Sequence, residues 1–337
     1  MRGSSGRPSW RQLLAFVGGG ERIGLEEWAA RPNRMRSGGP AVCHQAMTIA
    51  LEQPDAGGLG EVVAALREWQ DDAAPIQLHP GDLGWLWRFG AEATAAATRT
   101  WRRDGKILAV GELDEHSLVR LAIAPDAQQV EALARQLAAD LSDPGRGVLP
   151  AGKAYVEAPP DALLRDLLST EGWELDQPWT PLQRALADPV EDPGVRIEVI
   201  GASRAHERTA VQRAAFPRST FSHERWQSMA AGPAYADARC LVAYDDQGIA
   251  VAAVTVWSAG PGRPGLLEPM GVHREHRNHG YGRAVTVAAA TALQELGSSS
   301  AIVCTPTSNV AAVATYTSAG FRPLAERRDL RRDVIAS

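Results

Sequence analysis

The chain has 337 residues, room for one to three domains. With 45% hydrophobic and 22% charged residues it has the balance of a soluble globular protein, which excludes wholesale disorder, a collagen-like repeat and a coiled coil. The formal charge of −5 sets up no global basic field for nucleic acid, and no window approaches the roughly 18 to 20 apolar residues of a membrane span. Leu13 to Val17 is too short an apolar run for a signal-peptide core. Cys43, Cys240 and Cys304 are scattered and odd in number, which argues against a disulfide framework and for a reducing, cytoplasmic setting.

Residues 1–46 carry seven arginines against three glutamates, and glycine clusters at 18–20 and 38–39 interrupt any periodic pattern. They read as a poorly ordered leader, or as residues upstream of a natural start at Met47. From Met47 the pattern becomes regular. Residues 47–52 read as a strand. Residues 57–70 read as a helix, with Leu59, Val62, Val63, Leu66 and Trp69 at spacings of three and four. Residues 79–84 (HPGDLG) read as a turn and the Ala-rich stretch 85–103 as a helix. Two strands, 106–113 and 117–124, follow, and Pro125 and Asp126 open a helix over 127–141. A strand at 153–158, a helix at 161–170 and a strand at 179–186 close this part.

Residues 187–194 (ADPVEDPG) have no apolar stripe and read as a linker. After it the order repeats: a strand at 195–200, helices at 203–215 and 222–231, and strands at 239–244, 249–258 and 265–272. A helix at 280–296, a strand at 299–304, a helix at 309–318 and a final strand at 322–331 complete the chain. The repeat has a nearly constant offset. Ile49 and Ile197 are 148 apart, as are Gly172-Trp173 and Gly320-Phe321, while Ala124-Pro125-Asp126 meets His273-Arg274-Glu275 at 149. This predicts a duplication, 47–186 and 195–337, with each copy an α/β unit on a mixed, largely antiparallel sheet flanked by helices.

The segment Glu268 to Arg283 (EPMGVHREHRNHGYGR) carries the chemistry. A strand ends at Val272, a loop rich in His and Arg follows, and Gly280-Tyr281-Gly282 opens a long apolar helix. The first N–H groups of that helix have no intrahelical partner and its dipole favours negative charge, so the junction suits an anion. Gly280 and Gly282 allow close approach to the backbone, and Arg274, Arg277 and Arg283 add positive charge. A glycine-rich turn with solvated arginines would read the same way. His273, His276 and His279 sit on this loop, lack a carboxylate or thiolate partner at familiar spacing, and do not read as a metal site.

In this order of elements, Arg277-Asn278-His279-Gly280-Tyr281-Gly282 resembles the R/Q-x-x-G-x-G/A motif of the GCN5-related N-acetyltransferase (GNAT) superfamily. Asn309 to Phe321, with Ala312, Tyr316, Gly320 and Phe321 in register, resembles its second motif, N-x-x-A-x-x-x-Y-x-x-x-G-F. The resemblance covers residues 195–331. It implies that acetyl-CoA is the cosubstrate, with no metal. The strand backbone at Met270, Gly271 and Val272 would meet the pantetheine arm, and the amides of Arg277, Asn278, His279, Gly280, Tyr281, Gly282 and Arg283 would hold the pyrophosphate. Asn309 stands at a helix N-cap and by resemblance also touches the cofactor. Tyr316 would protonate the departing thiolate, and Glu268 would be the base that deprotonates the amine acceptor.

At the same offset the first copy places Gln128, Glu131 and Leu133 where the second has Arg277, Gly280 and Gly282. A carboxylate and a branched side chain there oppose cofactor binding, so residues 47–186 resemble a degenerate GNAT copy, in an arrangement similar to mycothiol-synthase-like proteins. Phe216, Phe221, Trp226 and Trp257 would line the acceptor pocket or the core, and Trp85 and Trp87 would face the same cleft. The expected activity is acetyl transfer to an amine of a small molecule or a protein, in a monomer or homodimer, without nucleic acid or membrane as partner. The alternative from another class is a non-catalytic acyl-CoA sensor or scaffold.

Overall fold

The computed structural model describes residues 48–114 and 116–333, so the expectation for residues 1–46 lies outside the described residues. Among the described residues thirteen strands form one sheet in an α/β fold, mostly antiparallel, with helices packed on it. In the first half of the chain the order is β1 (Ala50–Glu52), α1 (Leu59–Glu68), α2 (Pro80–Leu86), α3 (Ala91–Ala96), β2 (Thr98–Arg103), β3 (Lys106–Asp114), β4 (Leu118–Ile123), α4 (Glu131–Ser142), β5 (Ala154–Glu157), α5 (Leu163–Thr170) and β6 (Glu174–Ala185). The second half holds β7 (Arg196–Val199), α6 (Ala205–Ala215), α7 (His223–Ala230), β8 (Ala238–Tyr244), β9 (Ala250–Ser258), β10 (Gly265–Val272), α8 (Tyr281–Glu295), β11 (Ser300–Pro306), α9 (Val310–Ser318), β12 (Arg322–Pro323) and β13 (Arg327–Arg332).

Three stretches depart from the sequence reading. HPGDLG is a helix start and not a turn. His79 is the N-cap, its Nδ1 accepts from the Gly81 N–H at 2.9 Å, and the Asp82 carboxylate accepts in turn from the His79 N–H at 2.7 Å. Pro80 fits the first helical position because the N–H it lacks would have been unsatisfied there. The expected helix over 85–103 is three pieces. A 3₁₀ turn at Trp87–Phe89 ends at Gly90, whose φ of +94° is open to glycine, and α3 stops before β2. In Thr98–Arg103 the β-branched and aromatic residues override the helical tendency of the alanines before them. The last strand, expected over 322–331, is likewise divided into β12 and β13.

The sheet order β1-β2-β3-β4-β5-β13-β6-β11-β10-β9-β8-β7 shows that the halves exchange strands. β6 from the first half pairs antiparallel with β11 of the second, Ser300–Pro306 against Ala185–Trp179. The final strand β13 fills the gap between β5 and β6, with Leu330 opposite Val156. The core follows the same plan. One cluster runs from Val62, Trp101 and Leu121 to Phe221, Trp226, Trp257 and Ile302, without a break between the halves. A second lies on the opposite face of the second-half strands under α8, whose run Ala284–Ala290 is buried throughout.

Four strands lie between β4 and β10, which in a flat sheet at about 4.8 Å spacing would set them more than about 20 Å apart. Yet α2 packs on β9 and β10 while its Asp82 accepts from Arg120 of β4 at 2.8 Å. The sheet therefore curls, and α2 fills the concavity between the two halves. Residues 187–194 carry neither helix nor strand. Glu191 within them pairs with Arg184 and Arg283.

Candidate acyl-transfer site

The site grows from a break in β10. Gly265–Leu267 pair with Ser258–Val256 of β9 in step, and pairing resumes at Met270 opposite Val254, so Glu268 and Pro269 form a bulge. Pro269 has no N–H to lend to a ladder, and the Glu268–Pro269 bond is cis. Trp257 Nε1 donates to the Glu268 carbonyl at 2.6 Å, tying the bulge to β9. On the other side β10 is parallel to β11 only at Gly265–Leu266, after which β11 continues along β6. The β10 edge from Glu268 to Val272 thus faces a gap in the sheet, with the half-buried Met270, Gly271 and Val272 along it. Gly271 has a second constraint: a Cβ there would come within 2.7 Å of Ala215 and 2.8 Å of Phe216, where the end of α6 presses on the strand.

Beyond Val272 the chain makes a 3₁₀ turn at Arg274–His276 and then two left-handed steps, Asn278 at φ +65° and Gly280 at φ +83°. α8 starts with no side-chain cap and no acidic residue in its first turn, so its positive end is uncompensated. A Cβ on Gly280 would meet nothing within 4 Å, which leaves open space over that end. Gly282 is small for another reason: its Cβ would lie 3.1 Å from Thr315 of α9, so it permits helix packing.

The arginines do not point at this opening as ligands. Arg274 and Arg277 donate to the carbonyls of Ala214 and Ala215 at the end of α6, and Arg283 donates to the Ser318 carbonyl at the end of α9. They cap helix C-termini while keeping their charge beside the loop. His279 lies on the exposed loop, and the half-buried Tyr281 has ring contacts with His276 and His279. Among the described residues no group of three His, Cys, Asp or Glu could hold a metal ion.

α9 brings in the last expected residues. Asn309 caps it, with Oδ1 accepting from the Ala312 N–H at 3.2 Å. Tyr316 is buried, with its ring 6.0 Å from that of Phe321. Burial first, then the charge of Glu268 and the neighbouring Cys304, push its hydroxyl well above the ordinary tyrosine range. Glu268 and Tyr316, 48 residues apart in sequence, therefore stand within each other's field.

Of the expected aromatic lining, Trp226 and Trp257 each pack edge to face on Tyr235, a residue not among those expected, and Trp85 meets Phe221 at 5.2 Å. Trp87 packs on Gly232. The charged groups around Glu268 were not foreseen. Arg88 lies buried on the rings of Trp85 and Phe89, and Arg120, Glu112 and Asp82 form an ionic cluster within the reach of the Glu268 charge. The sequence offset held the signal, since the position 148 residues before Glu268 is Arg120.

The first half builds its corresponding junction differently. β3 and β4 pair without a break from Ala109–Ile123 to Asp114–Leu118. Gln128 accepts from the Leu163 N–H through its carbonyl, Glu131 sits in the first turn of α4 paired with Arg135, and Leu133 is core.

Residues 205–321 match the model of the acetyltransferase (GNAT) family. Solved structures share the fold over most of the chain. A GCN5-related N-acetyltransferase from Sphaerobacter thermophilus is 16% identical, covering 85% of this chain and 96% of its own, with a TM-score of 0.53. A tandem GNAT protein from the clavulanic acid biosynthesis pathway is 15% identical over 86% of this chain and 100% of its own, with a TM-score of 0.54. A GNAT-family acetyltransferase from Colwellia psychrerythraea is 15% identical over 84% and 98%, with a TM-score of 0.53. No curated protein matches the chain.

Proposed function

We propose that the second half of the chain transfers an acetyl group from acetyl-CoA to a primary amine by direct attack in a ternary complex. The observation that carries this reading is one junction: a bulged β10 that parts from β11, next to a helix start whose positive end is bare, with Tyr316 buried within the field of Glu268. The edge of β10 from Met270 to Val272 offers backbone groups to the extended pantetheine arm, as a strand edge does to a peptide. The amides from Arg277 to Arg283 offer donors to the pyrophosphate, and the space over Gly280 admits it. Asn309 is committed to its helix cap, which leaves the backbone of the loop to do most of the binding.

Glu268 takes the proton that the acceptor ammonium must lose, directly or through water. The freed amine attacks the thioester carbonyl, and an amide near Gly271 or Val272 steadies the oxyanion. The carbon–sulfur bond breaks as Tyr316 gives its proton to the leaving sulfur, and the second proton of the attacking nitrogen, lost as the amide forms, restores the Tyr316 hydroxyl through solvent while Glu268 keeps the first. The raised pKa of Tyr316 keeps its proton in place at neutral pH. The halves are read as diverged copies, 47–186 and 195–337 joined by 187–194. In the first, Glu131, Leu133 and the closed Gln128 carbonyl stand against cofactor binding, so its part is to wall the acceptor side.

The test is Tyr316→Phe, which keeps the ring against Phe321. Turnover on an amine is expected to fall by about 10²-fold or more with acetyl-CoA affinity unchanged. Loss of both together would make Tyr316 a packing residue. Cofactor binding without turnover on a broad amine panel would favour the sensor alternative.

A further inference from the structure

The surroundings of Glu268 on the first-half side are built by α2 and the β3–β4 pair. α2 lies so close to β9 that a Cβ on Gly81 or Gly84 would come within 2.5 or 2.4 Å of Trp257, the residue that holds the Glu268 carbonyl. Asp82 of the same helix binds Arg120, and Arg120 is directly opposite Glu112 in the β3–β4 ladder, so both side chains share the face that meets α2. The charge of Glu268 is felt at Glu112, Arg120 and Arg88.

Two polar atoms of this shell are buried without a hydrogen-bond partner: Glu112 Oε2 and Trp85 Nε1, on residues 5% and 6% exposed. Arg120 stands at an ion-pair distance of 3.6 Å from that oxygen, and Arg88 feels the Glu112 charge as well. Such atoms are costly, on the order of 1–3 kcal/mol each, and call for a partner. The fold does not need them. Arg120 is satisfied by Asp82 and Glu157, and Arg327 by Glu157 and the Ile76 carbonyl, two guanidiniums against two carboxylates. Glu112 would be a third negative charge in that cluster. Burial instead pushes its carboxyl up, helped by the charges of Asp82, Asp114 and Glu268 and opposed by Arg120. A carboxyl held toward its neutral form suits a hydroxyl, which both donates and accepts, better than a second ammonium. The indole N–H asks for an acceptor, which the same kind of group supplies. The Trp85 and Phe221 rings beside it offer apolar faces for a carbon skeleton.

We propose that the acceptor is a primary amine bearing hydroxyl groups, and that Glu112 and Trp85 of the first half bind those hydroxyls while the amine reaches Glu268. This inference rests on the acetyl-transfer reading and deepens it. It accounts for a first half that keeps a buried polar shell although its own cofactor junction is closed.

The experiment compares matched acceptors, trans-4-aminocyclohexanol against cyclohexylamine and 2-amino-1,3-propanediol against isopropylamine, with acetyl-CoA binding measured separately. The hydroxylated member of at least one pair is expected to be favoured in kcat/KM by about tenfold or more. Trp85→Phe removes the indole N–H together with part of the ring and should cut that preference by about tenfold, through the acceptor KM, leaving the acetyl-CoA KM unchanged. Glu112→Gln, nearly the same shape, should reduce the preference independently. Turnover with no preference in either pair, or a preference untouched by both variants, would overturn this inference and leave acetyl transfer standing. Absence of acetyl-CoA binding would overturn both.

Discussion

His79 shows how much one side chain can hold. Its Nδ1 accepts from Gly81 to start α2, so its proton sits on Nε2, which donates to the Pro264 carbonyl in the second half at 3.1 Å. Burial lowers its pKa to about 4, against about 6.5 for the free imidazole. Between those values the unfolded chain binds a proton that the folded chain refuses, so this residue makes stability fall as pH drops from about 6.5 toward 4. His79→Asn keeps a capping side chain but not the bond to Pro264. At pH 7 the variant should be less stable by about 1 kcal/mol. Urea denaturation at pH 7 and pH 5 should show that it loses less stability on acidification than the parent; an equal or steeper loss would show that His79 is not a neutral donor to Pro264. None of this was legible in HPGDLG. Histidine is an unusual N-cap, and Pro80-Gly81 carries a strong local turn signal that only the burial of α2 outweighs.

At the scale of elements, α2 is the piece on which the site depends. A glycine in a helix interior normally costs stability relative to alanine. Gly84→Ala should do the reverse, because its Cβ would sit 2.4 Å from the Trp257 ring, and overpacking of this kind costs about 1–3 kcal/mol. Gly60 in α1 meets nothing within 4 Å, so Gly60→Ala should instead stabilise by about 0.5 kcal/mol. Thermal unfolding of the two variants checks the opposite signs; matching signs would mean that α2 is free to move off Trp257. Elements with clear periodicity were readable from sequence: Leu59, Val62, Val63 and Leu66 line the buried face of α1, and the Gly280–Tyr281 junction opens α8 where expected. Thr98–Arg103 was not, since the strand follows the alanine-rich run 91–97 without a break and is held from one side by β1, a distant contact, as well as by the adjacent β3. The candidate site divides in the same way. Its loop and its Tyr316 belong to contiguous motifs, whereas Glu112 and Arg120 come beside Glu268 only because the sheet curls.

At the scale of the whole molecule, the repeat in sequence does not correspond to two separate bodies. β6 and β13 are exchanged between the halves and one core spans both. A protease site introduced at residues 192–194, where there is neither helix nor strand, should yield two fragments that co-elute in native buffer and part only in denaturant. Fragments that separate in native buffer would contradict the exchange. The sequence offset of 148 pointed to a duplication but not to the exchange, because β6 and the β12–β13 pair each come after a helix whichever partner they choose.

The central claim is that one half of this molecule, and only one, holds acetyl-CoA at the start of α8. Calorimetric titration with acetyl-CoA tests it most directly. The account predicts one site per chain, abolished by Gly280→Asp, a residue that tolerates the left-handed backbone at φ +83° but sets a carboxylate where the pyrophosphate belongs. Two sites per chain, no binding, or unchanged affinity in the folded Gly280→Asp protein would contradict it.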